Sequence, residues 1–530
     1  MTDKLDHLIE SYASWTISFD KNMPIDTISI VGVGFNIVNR ANSGATVDLF
    51  LADCEHRIID ISPDRFLIYS SNARFPIYFR TIDNIVMLSN VVYNLFSEGE
   101  MVSIDPFVLC QQLSGNYSND NFFSQIQLLE YNSKYALDSG NACYICSTLK
   151  FIENVSTEDC IAQLLLECES TFSSGKNISL LLSGGYDSRL NLAISLEMVK
   201  KYGNNITLWH EYKNEEEFAL SKNIADSIGI RLNVKDRDAF SGSVNQVIFN
   251  ASYIRNSGPI YRTNIPRWIN YLHYIKMTDG DSIIFGHGAE GHKGKYYNQI
   301  DSLEDVAKTF GVNTVVVECI GKALGLAVSN DSQIFFFDKL KKHSRFFTNF
   351  TGKVDFIHYH SYVANGYGRR SHAMSQYFNI PFPFLNGIFL SLVFSLPKKH
   401  KEGFQLVVDT IRKLHPEFLD FPFVSANIKS LKANSLRKKV LHSLGLKWLR
   451  KIKTKYFYKN NIGNNLPTSQ ITVLNECNYL PKSEITLALK KVLNMCESSP
   501  LPYIRYEHAL QLYLFFKLCE EEKNVIFVSK

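Results

Sequence analysis

Nothing in the sequence predicts a membrane-spanning or secreted protein. Its 530 residues contain no apolar run long enough to cross a bilayer. The longest candidate, 384–396, is interrupted by Asn386 and Gly387 and is typical of a core helix. Residues 1–20 carry acidic side chains and no apolar block, so we expect no secretory signal. A cytoplasmic protein without a transmembrane segment is therefore expected.

Cysteine spacing shows neither a disulfide framework nor a zinc site. The ten cysteines are scattered along the chain. Cys143 and Cys146 form a single C-x-x-C in an aromatic, strand-like stretch, and no second pair lies nearby. Because zinc sites of this kind need further ligands, we predict two buried thiols instead.

Acidic residues are missing between Asp420 and Glu476, where lysine and arginine alternate with apolar residues over 429–459. Such a basic amphipathic stretch is either a solvated helix face or a surface for an acidic partner. That partner could be a uronate polymer, a precursor peptide or an anionic membrane face. The net charge of +4 is small and no nucleic-acid motif accompanies the stretch, so nucleic acid is not expected.

Two regions of different pattern divide the chain, and we place the domains at 1–152 and 153–530. Short β-forming runs with turns predict an α+β or sandwich domain in the first region, with strands at 31–38, 46–51, 66–69, 76–79 and 85–89. In the second region, strands at 178–182, 206–209, 232–235 and 282–285 alternate with helices at 158–170, 190–200 and 215–228. This alternation predicts a parallel sheet, followed from residue 302 by a mainly helical part.

The most informative stretch follows the first strand of the second region. The apolar run 178–182 ends in Ser-Gly-Gly-Tyr-Asp-Ser at 183–188, after which a helical pattern begins. This order predicts a buried strand, a tight turn and a helix start, at the carboxyl end of a strand where ligands bind in such sheets. The plain alternative is a structural turn between strand and helix.

The composition of this turn suits a phosphate. Backbone N–H groups, two serine hydroxyls and a helix N-terminus can bind an anion. Gly184 and Gly185 allow the backbone to approach it closely. Asp187 would repel an anion, so its useful partner would be a Mg²⁺ ion bound to the phosphate.

The turn resembles the pyrophosphate-binding loop of the N-type ATP pyrophosphatases. Three later segments resemble the asparagine synthetase and β-lactam synthetase superfamily in the family's order: 206–229, 283–290 and 381–397. The resemblance covers roughly 155–425, with Asn386 in place of a usual Asp. It implies a parallel-sheet, adenine-nucleotide α-hydrolase-like synthetase domain with a helical C-terminal part, and ATP and Mg²⁺ as cofactors.

The resemblance also implies roles for particular residues. Asp187 would bind Mg²⁺ together with Glu290, which replaces the family's Asp and could instead be a solvated loop acid. The residues that would contact ATP are Leu182, Ser183, Gly184, Gly185, Asp187, Ser188, Trp209 and Gly286.

Two catalytic roles are implied as well. His287 lies where the family places a residue that acts on the nucleophile, and an imidazole is a suitable base for an incoming ammonium; a histidine packed under the turn is the alternative. A lysine that stabilises the adenylation transition state would be Lys429 or Lys432, with Lys399 behind them. Arg369 and Arg370 could clamp an acceptor carboxylate or form a solvated basic turn.

The first region resembles the family's glutaminase-like (Ntn-like) domain through 75–79 and 85–89. A working glutaminase needs a cysteine as its mature first residue. Here Met1 is followed by Thr2, and 3–12 is a polar lead-in rather than a strand. The resemblance therefore implies a degenerate α+β sandwich that serves as a scaffold.

Together these features predict an α/β, asparagine-synthase-like amide ligase that forms AMP and pyrophosphate and lacks its own glutaminase. His287 is similar to the turn both in lasso-peptide macrolactam synthetases and in asparagine-synthase-related proteins of surface-polysaccharide clusters. The segment 414–422 looks like the polysaccharide-cluster proteins, which favours a small acid or sugar acid as substrate. A lasso-peptide-type macrolactam synthetase and an inactive nucleotide-binding subunit are the alternatives.

Overall fold

The structure is a computed structural model. It describes residues 16–20, 29–31, 35–40, 44–50, 55–62, 65–70, 76–114, 122–138, 140–173, 177–212, 214–235, 254–255, 282–284, 286, 289, 293–294, 296–297, 299–312, 314–368, 383–423, 481–498 and 506–529. Within these segments the chain is a mixed α/β protein with both antiparallel and parallel sheets.

The first region contains two antiparallel sheets. Its strands are β1 Thr16–Asp20, β2 Ser29–Val31, β3 Phe35–Arg40, β4 Gly44–Phe50, β5 Glu55–Ser62, β6 Arg65–Ser70, β7 Tyr78–Ile82, β8 Ile85–Ser89, β9 Met101–Ile104, β10 Gln127–Leu128, β11 Ser133–Asp138 and β12 Asn141–Ser147. One sheet has the order β10-β7-β8-β1-β2 and the other β12-β11-β6-β5-β4-β3. Buried residues from both, such as Leu88 and Ile68, share one apolar cluster.

The predicted strand at 31–38 is wrong. Its ends belong to two strands, β2 and β3, which join different sheets. A run of β-forming residues carries no sign of a change of sheet, because both strands show the same alternation.

The prediction of two buried thiols is also wrong, since Cys143 and Cys146 are both exposed. They lie on β12, at the edge of its sheet. Tyr135 pairs with Tyr144 while the preceding Lys134 pairs with Cys146, so β12 contains one extra residue there. Such a bulge resets the side-chain alternation, which places both cysteines on the exposed side.

The second region begins with the predicted parallel sheet. Its strands are β13 Ile178–Leu181, β14 Ile206–Glu211, β15 Leu232–Lys235 and β16 Ser282–Ile284, in the order β15-β14-β13-β16. The helices between and before them are α2 Thr157–Ser173, α3 Tyr186–Tyr202 and α4 Glu215–Ser227. The helix α1, Pro106–Leu113, belongs to the first region. The predicted elements are confirmed, although α3 begins four residues before the predicted start.

Most of the remaining described residues are helical, as predicted. The helices are α5 Asp305–Phe310, α6 Thr314–Leu324, α7 Asp331–His343, α8 Phe350–His358, α9 Gly387–Ser395, α10 Gln405–Leu414, α11 Glu484–Ser498 and α12 Tyr506–Glu522. A π-helical segment, Tyr359–Gly368, continues α8. The predicted core helix at 384–396 corresponds to α9, whose Phe389, Leu390 and Val393 are buried.

A last strand returns to the first region. β17, Ile526–Ser529, pairs in parallel with β9. Next to this pair the Tyr93 hydroxyl donates to Glu522 at 2.6 Å, and Lys523 Nζ donates to the Phe96 carbonyl at 2.7 Å. The rings of Phe123 and Phe527 pack at 6.2 Å. The segment 506–529 is therefore anchored on the first region, while the domain bounds at 152 and 153 stay a prediction.

Contacts between the first region and the α7–α8 part are polar and buried. Glu130 accepts from His343 Nδ1 at 2.8 Å, and Asn132 donates to the Tyr359 hydroxyl at 3.1 Å. Burial alone would raise the pKa of Glu130, but the His343 contact and the Lys339 charge lower it to about 2. Glu130 is thus a carboxylate at neutral pH, and it fixes α7 to the first region. Within the described segments, no helix is both long and apolar enough to cross a membrane.

Candidate functional site

The parallel sheet has a point where its connections change direction. From β13 the chain moves outward to β14 and β15, then returns to β16 on the other side of β13. At such a switch point the connections leave on opposite faces, which opens a crevice beyond the carboxyl ends of the two adjacent strands. The crevice lies beyond β13 and β16, where the turn 183–188 and Gly286 are found. It is the candidate site.

The turn 183–188 is shaped by its own hydroxyl groups. Ser188 Oγ donates to the Ser183 carbonyl at 2.7 Å and accepts from the Ser183 N–H at 3.1 Å. The two hydroxyl oxygens lie 2.9 Å apart, and Ser183 Oγ also accepts from the Gly185 N–H at 3.3 Å. Both hydroxyls therefore hold the loop in one conformation, and the binding of an anion falls mainly to backbone amides.

Those amides belong to the start of α3. Gly185 stands at its N-cap with extended backbone angles and has no side chain to accept from the first turn. The N-terminal amides and the dipole of this 17-residue helix point to the crevice, which is favourable for negative charge.

A buried arginine fixes the loop from behind. Arg189 is fully buried, and its guanidinium donates to the carbonyls of Gly184 and Phe418 at 3.0 Å each and of Phe421 at 2.9 Å. It also donates to the Pro422 carbonyl. Burial lowers the pKa of Arg189 to about 10, so the group stays charged at neutral pH. One side chain thus joins the loop to 418–422.

Aromatic stacking supports the same connection. The Tyr186 ring lies between Phe423 and Phe404, at centroid distances of 3.8 and 4.6 Å. The guanidinium of Arg189 lies 3.9 Å from the centroid of Phe423. Phe423, the last residue of the described segment 383–423, therefore lies directly beside the loop.

Asp187 has a defined partner. Its Oδ2 accepts from Lys293 Nζ at 2.5 Å, and the Lys293 side chain is 4% exposed while that of Asp187 is 26% exposed. Lys293 comes from the segment that follows β16, so the pair links that segment to the start of α3, which follows β13. Asp187 is the more exposed member of the pair, although its Oδ1 atom is buried.

Gly286 packs directly against Asp187. A Cβ atom at position 286 would lie 2.7 Å from Asp187 Cβ and 3.4 Å from its carbonyl carbon. Separations below about 3 Å between carbon atoms are repulsive. Position 286 therefore needs glycine so that the segment after β16 can approach the start of α3.

For the Mg·ATP site that the resemblance implies, we expect Gly286→Ala to weaken binding by at least about tenfold, because one methyl group displaces Asp187. Isothermal titration with a non-hydrolysable ATP analogue measures this. Gly203→Ala is the matched control. Gly203 caps the C-terminus of α3 at a φ of 74°, and a Cβ atom there would have no neighbour within 4 Å. That variant is expected to lose stability and keep its affinity. Equal affinities for Gly286→Ala and the parent would contradict the packing argument.

A fully buried ionic cluster lies behind the Lys293 segment. Asp355 of α8 accepts from Lys401 Nζ at 2.5 Å, from the Tyr296 hydroxyl at 2.5 Å and from the Tyr297 hydroxyl at 2.7 Å. Burial raises the pKa of Asp355, although Lys401 and the two hydroxyls oppose this, and it raises the pKa values of both tyrosines well above their usual range. Both phenols therefore remain donors and fix the Lys293 segment.

The other predicted ATP contacts are placed as follows. Leu182 is buried, and its N–H donates to the Trp209 carbonyl at 2.8 Å. Its own carbonyl lies 3.0 Å from His210 Nδ1. Trp209 is buried within the sheet beside Leu181. Leu182 and Trp209 are thus buried at the end of the sheet beside the loop, and the structure brings the loop, Asp187 and Gly286 together.

Several predicted residues lie outside the described segments: Thr2, His287, Glu290, Arg369, Arg370, Lys429 and Lys432. Within those segments, no group of three or more His, Cys, Asp or Glu side chains is arranged to hold a metal ion. Lys399 is exposed. Asn386 caps α9, where its Oδ1 accepts from the Ile388 N–H at 2.8 Å. An asparagine serves as a helix cap as well as an aspartate, so this departure from the family pattern has a structural explanation.

Sequence reasoning missed Lys293 and Asp355 and gave Arg189 no role. One indication of a role for Arg189 was present in the sequence, because this residue immediately follows the turn 183–188. The chain matches no protein-family model, and a comparison with curated proteins finds no match.

Proposed function

We propose that the chain is an ATP-dependent ligase that activates a carboxylate as an acyl-adenylate, releases pyrophosphate, and forms an amide when an amine displaces AMP. The observation that supports this best is the crevice at the switch point. There a preorganised glycine loop, a helix N-terminus and a partly exposed aspartate face the same space.

Mg²⁺ fits this donor set. Asp187 offers a hard carboxylate oxygen as the more exposed member of its pair with Lys293, and Mg²⁺ commonly takes one or two carboxylates and completes its shell with water and phosphate oxygens. Glu290 would be the second carboxylate. When bound, the ion neutralises the charge that develops on the leaving pyrophosphate.

The chain's own residues then have separate tasks. The amides at the start of α3 hold the β- and γ-phosphates, and Arg189 keeps their loop rigid. Phe423, the last described residue before Lys429 and Lys432, lies against Tyr186, and we assign the lysine at the α-phosphate to one of these two. His287, which follows Gly286 in sequence, would accept the proton of the attacking amine.

The first region acts as a scaffold in this proposal, as a degenerate glutaminase-like domain. The amine would reach the site directly rather than from glutamine hydrolysis in the same chain. A small acid or sugar acid of a surface polysaccharide, or a peptide closed into a lactam, would be the substrate.

A second candidate is a nucleotide-binding subunit without turnover. The contact between Lys293 and Asp187 favours it, because a buried ammonium already occupies one oxygen of the proposed metal ligand. This candidate keeps ATP binding and loses the chemistry.

One assay separates the candidates. The full chain is incubated with Mg·ATP and fractions of a cell metabolite extract, and AMP, pyrophosphate and ADP are quantified. Release of AMP and pyrophosphate that depends on a fraction is the expected result for the ligase. ADP and phosphate would contradict the mechanism, and ATP binding without products in any fraction, including peptide and polysaccharide fractions, would favour the second candidate.

A further inference from the structure

The contact between Lys293 and Asp187 carries an inference that rests on the proposed function. The Lys293 side chain is 4% exposed, and its Nζ lies 2.5 Å from Asp187 Oδ2. A surface ion pair contributes little to stability, but a buried ammonium is costly unless it is paired. This lysine is therefore a built part of the site rather than an incidental surface contact.

The surroundings hold Lys293 in place. Gly294 allows the backbone to pass close to Tyr297 and the Lys401 carbonyl, since a Cβ there would lie 2.7 and 3.0 Å from them. Tyr296 and Tyr297 are fixed in turn by Asp355. The Phe404 ring, which also stacks on Tyr186, lies 6.0 Å from Lys293 Nζ. The ammonium can therefore change its partner without its segment moving.

We propose that Lys293 is a phosphate-binding residue that occupies Asp187 until nucleotide arrives. In the nucleotide-free protein its ammonium neutralises the carboxylate. When Mg²⁺ binds Asp187, the ammonium turns to the oxygens of the adjoining pyrophosphate group.

The charges favour this exchange. A carboxylate only accepts hydrogen bonds, whereas an ammonium has three donors and suits the oxygens of a phosphate. A metal-bound phosphate beside Asp187 would also lie beside the ammonium that contacts the same carboxylate. Lys293 thus orients Asp187 before binding and adds positive charge to the site after binding.

Two probes measured on Lys293→Met test the exchange, and methionine keeps most of the apolar stem. Mn²⁺ alone, followed by electron paramagnetic resonance, is expected to bind about tenfold more tightly, because Asp187 no longer has a competing cation. Inorganic pyrophosphate in EDTA is expected to bind about ten- to a hundredfold more weakly, because a charged hydrogen bond is lost. Lys398→Met is the matched control, since this exposed lysine lies 5.9 Å from the Tyr297 ring, and it should change neither affinity.

A second variant changes Asp187, the other member of the same pair. Asp187→Asn should bind pyrophosphate in EDTA more tightly than the parent, because Lys293 is no longer neutralised, while metal-dependent binding should be lost. This variant keeps an acceptor for Lys293, so it tests the proposal even if Lys293→Met does not fold.

The outcomes separate the two proposals. Unchanged affinities in folded Lys293→Met, or weaker pyrophosphate binding in EDTA for Asp187→Asn, would overturn the role of Lys293 while leaving the ligase intact. A parent protein that binds pyrophosphate neither with nor without Mg²⁺ would overturn the proposed function, and the Lys293 inference with it.

Discussion

Asp187→Asn is expected to lower the rate of AMP and pyrophosphate formation by at least about 10²–10³-fold, the usual effect of removing one preorganised charge-stabilising group. The physical reason is the position of the carboxylate. It stands in the first turn of α3, is the partly exposed member of its ion pair, and packs on Gly286 at the junction of β13 and β16. In the proposed function, neutralising it removes a ligand of Mg²⁺ at the point where negative charge would accumulate.

The fold should survive this change, because the asparagine oxygen still accepts from Lys293. Asp226→Asn is the matched control: this carboxylate lies on α4 in an exposed pair with Lys222 at 2.7 Å. The measurement is product formation at saturating Mg·ATP, with melting temperatures of all three proteins. An Asp187→Asn protein that forms AMP and pyrophosphate at the parent rate would refute the metal-binding role.

The second large effect concerns stability. Asp355→Ala is expected to lower the free energy of unfolding by about 3–5 kcal/mol, because it leaves the Lys401 ammonium buried without its partner. Both side chains are almost completely buried, at 0% exposure for Lys401 and 1% for Asp355. The same change removes the acceptor of Tyr296 and Tyr297, whose hydroxyls lie in the same enclosed space.

A urea titration followed by circular dichroism measures this loss. Asp226→Ala removes a carboxylate from an exposed pair and should cost less than about 1 kcal/mol. The double variant Asp355→Leu with Lys401→Met replaces the pair by apolar side chains and should recover the part of the loss that comes from the unpaired ammonium. If Asp355→Ala unfolds at the parent's urea concentration, the pair does not support the fold.

Local signals account for what the sequence predicted well. The parallel sheet was predictable because its strands are short apolar runs separated by helices with readable ends. α3 ends at Gly203 in the left-handed region, and α4 begins after Asn214, whose side chain accepts from the Glu217 N–H at 2.8 Å. The strand at 232–235 has the predicted bounds, because it is one of these short apolar runs after a helix.

Long-range contacts account for what it did not predict. Lys293 reaches Asp187 across 106 residues, and Arg189 reaches the Phe421 carbonyl across 232. Neither pairing leaves a periodic pattern, since each joins the first turn of α3 to a distant segment that only the folded chain brings near. The bulge that exposes Cys143 and Cys146 is likewise a property of strand pairing rather than of one strand.

The pairing of β9 with β17 has a consequence for synthesis of the protein. Tyr93 and Glu522, which bond beside this pair, lie 429 residues apart, so a ribosome needs roughly 20 to 90 s between them at about 5–20 residues per second. During that interval β9 has a free edge and Phe123 lacks the ring of Phe527. Nascent chains halted before residue 520 should therefore be cleaved by protease near β9, whereas chains released after residue 529 should resist; equal cleavage would show that β9 is protected earlier.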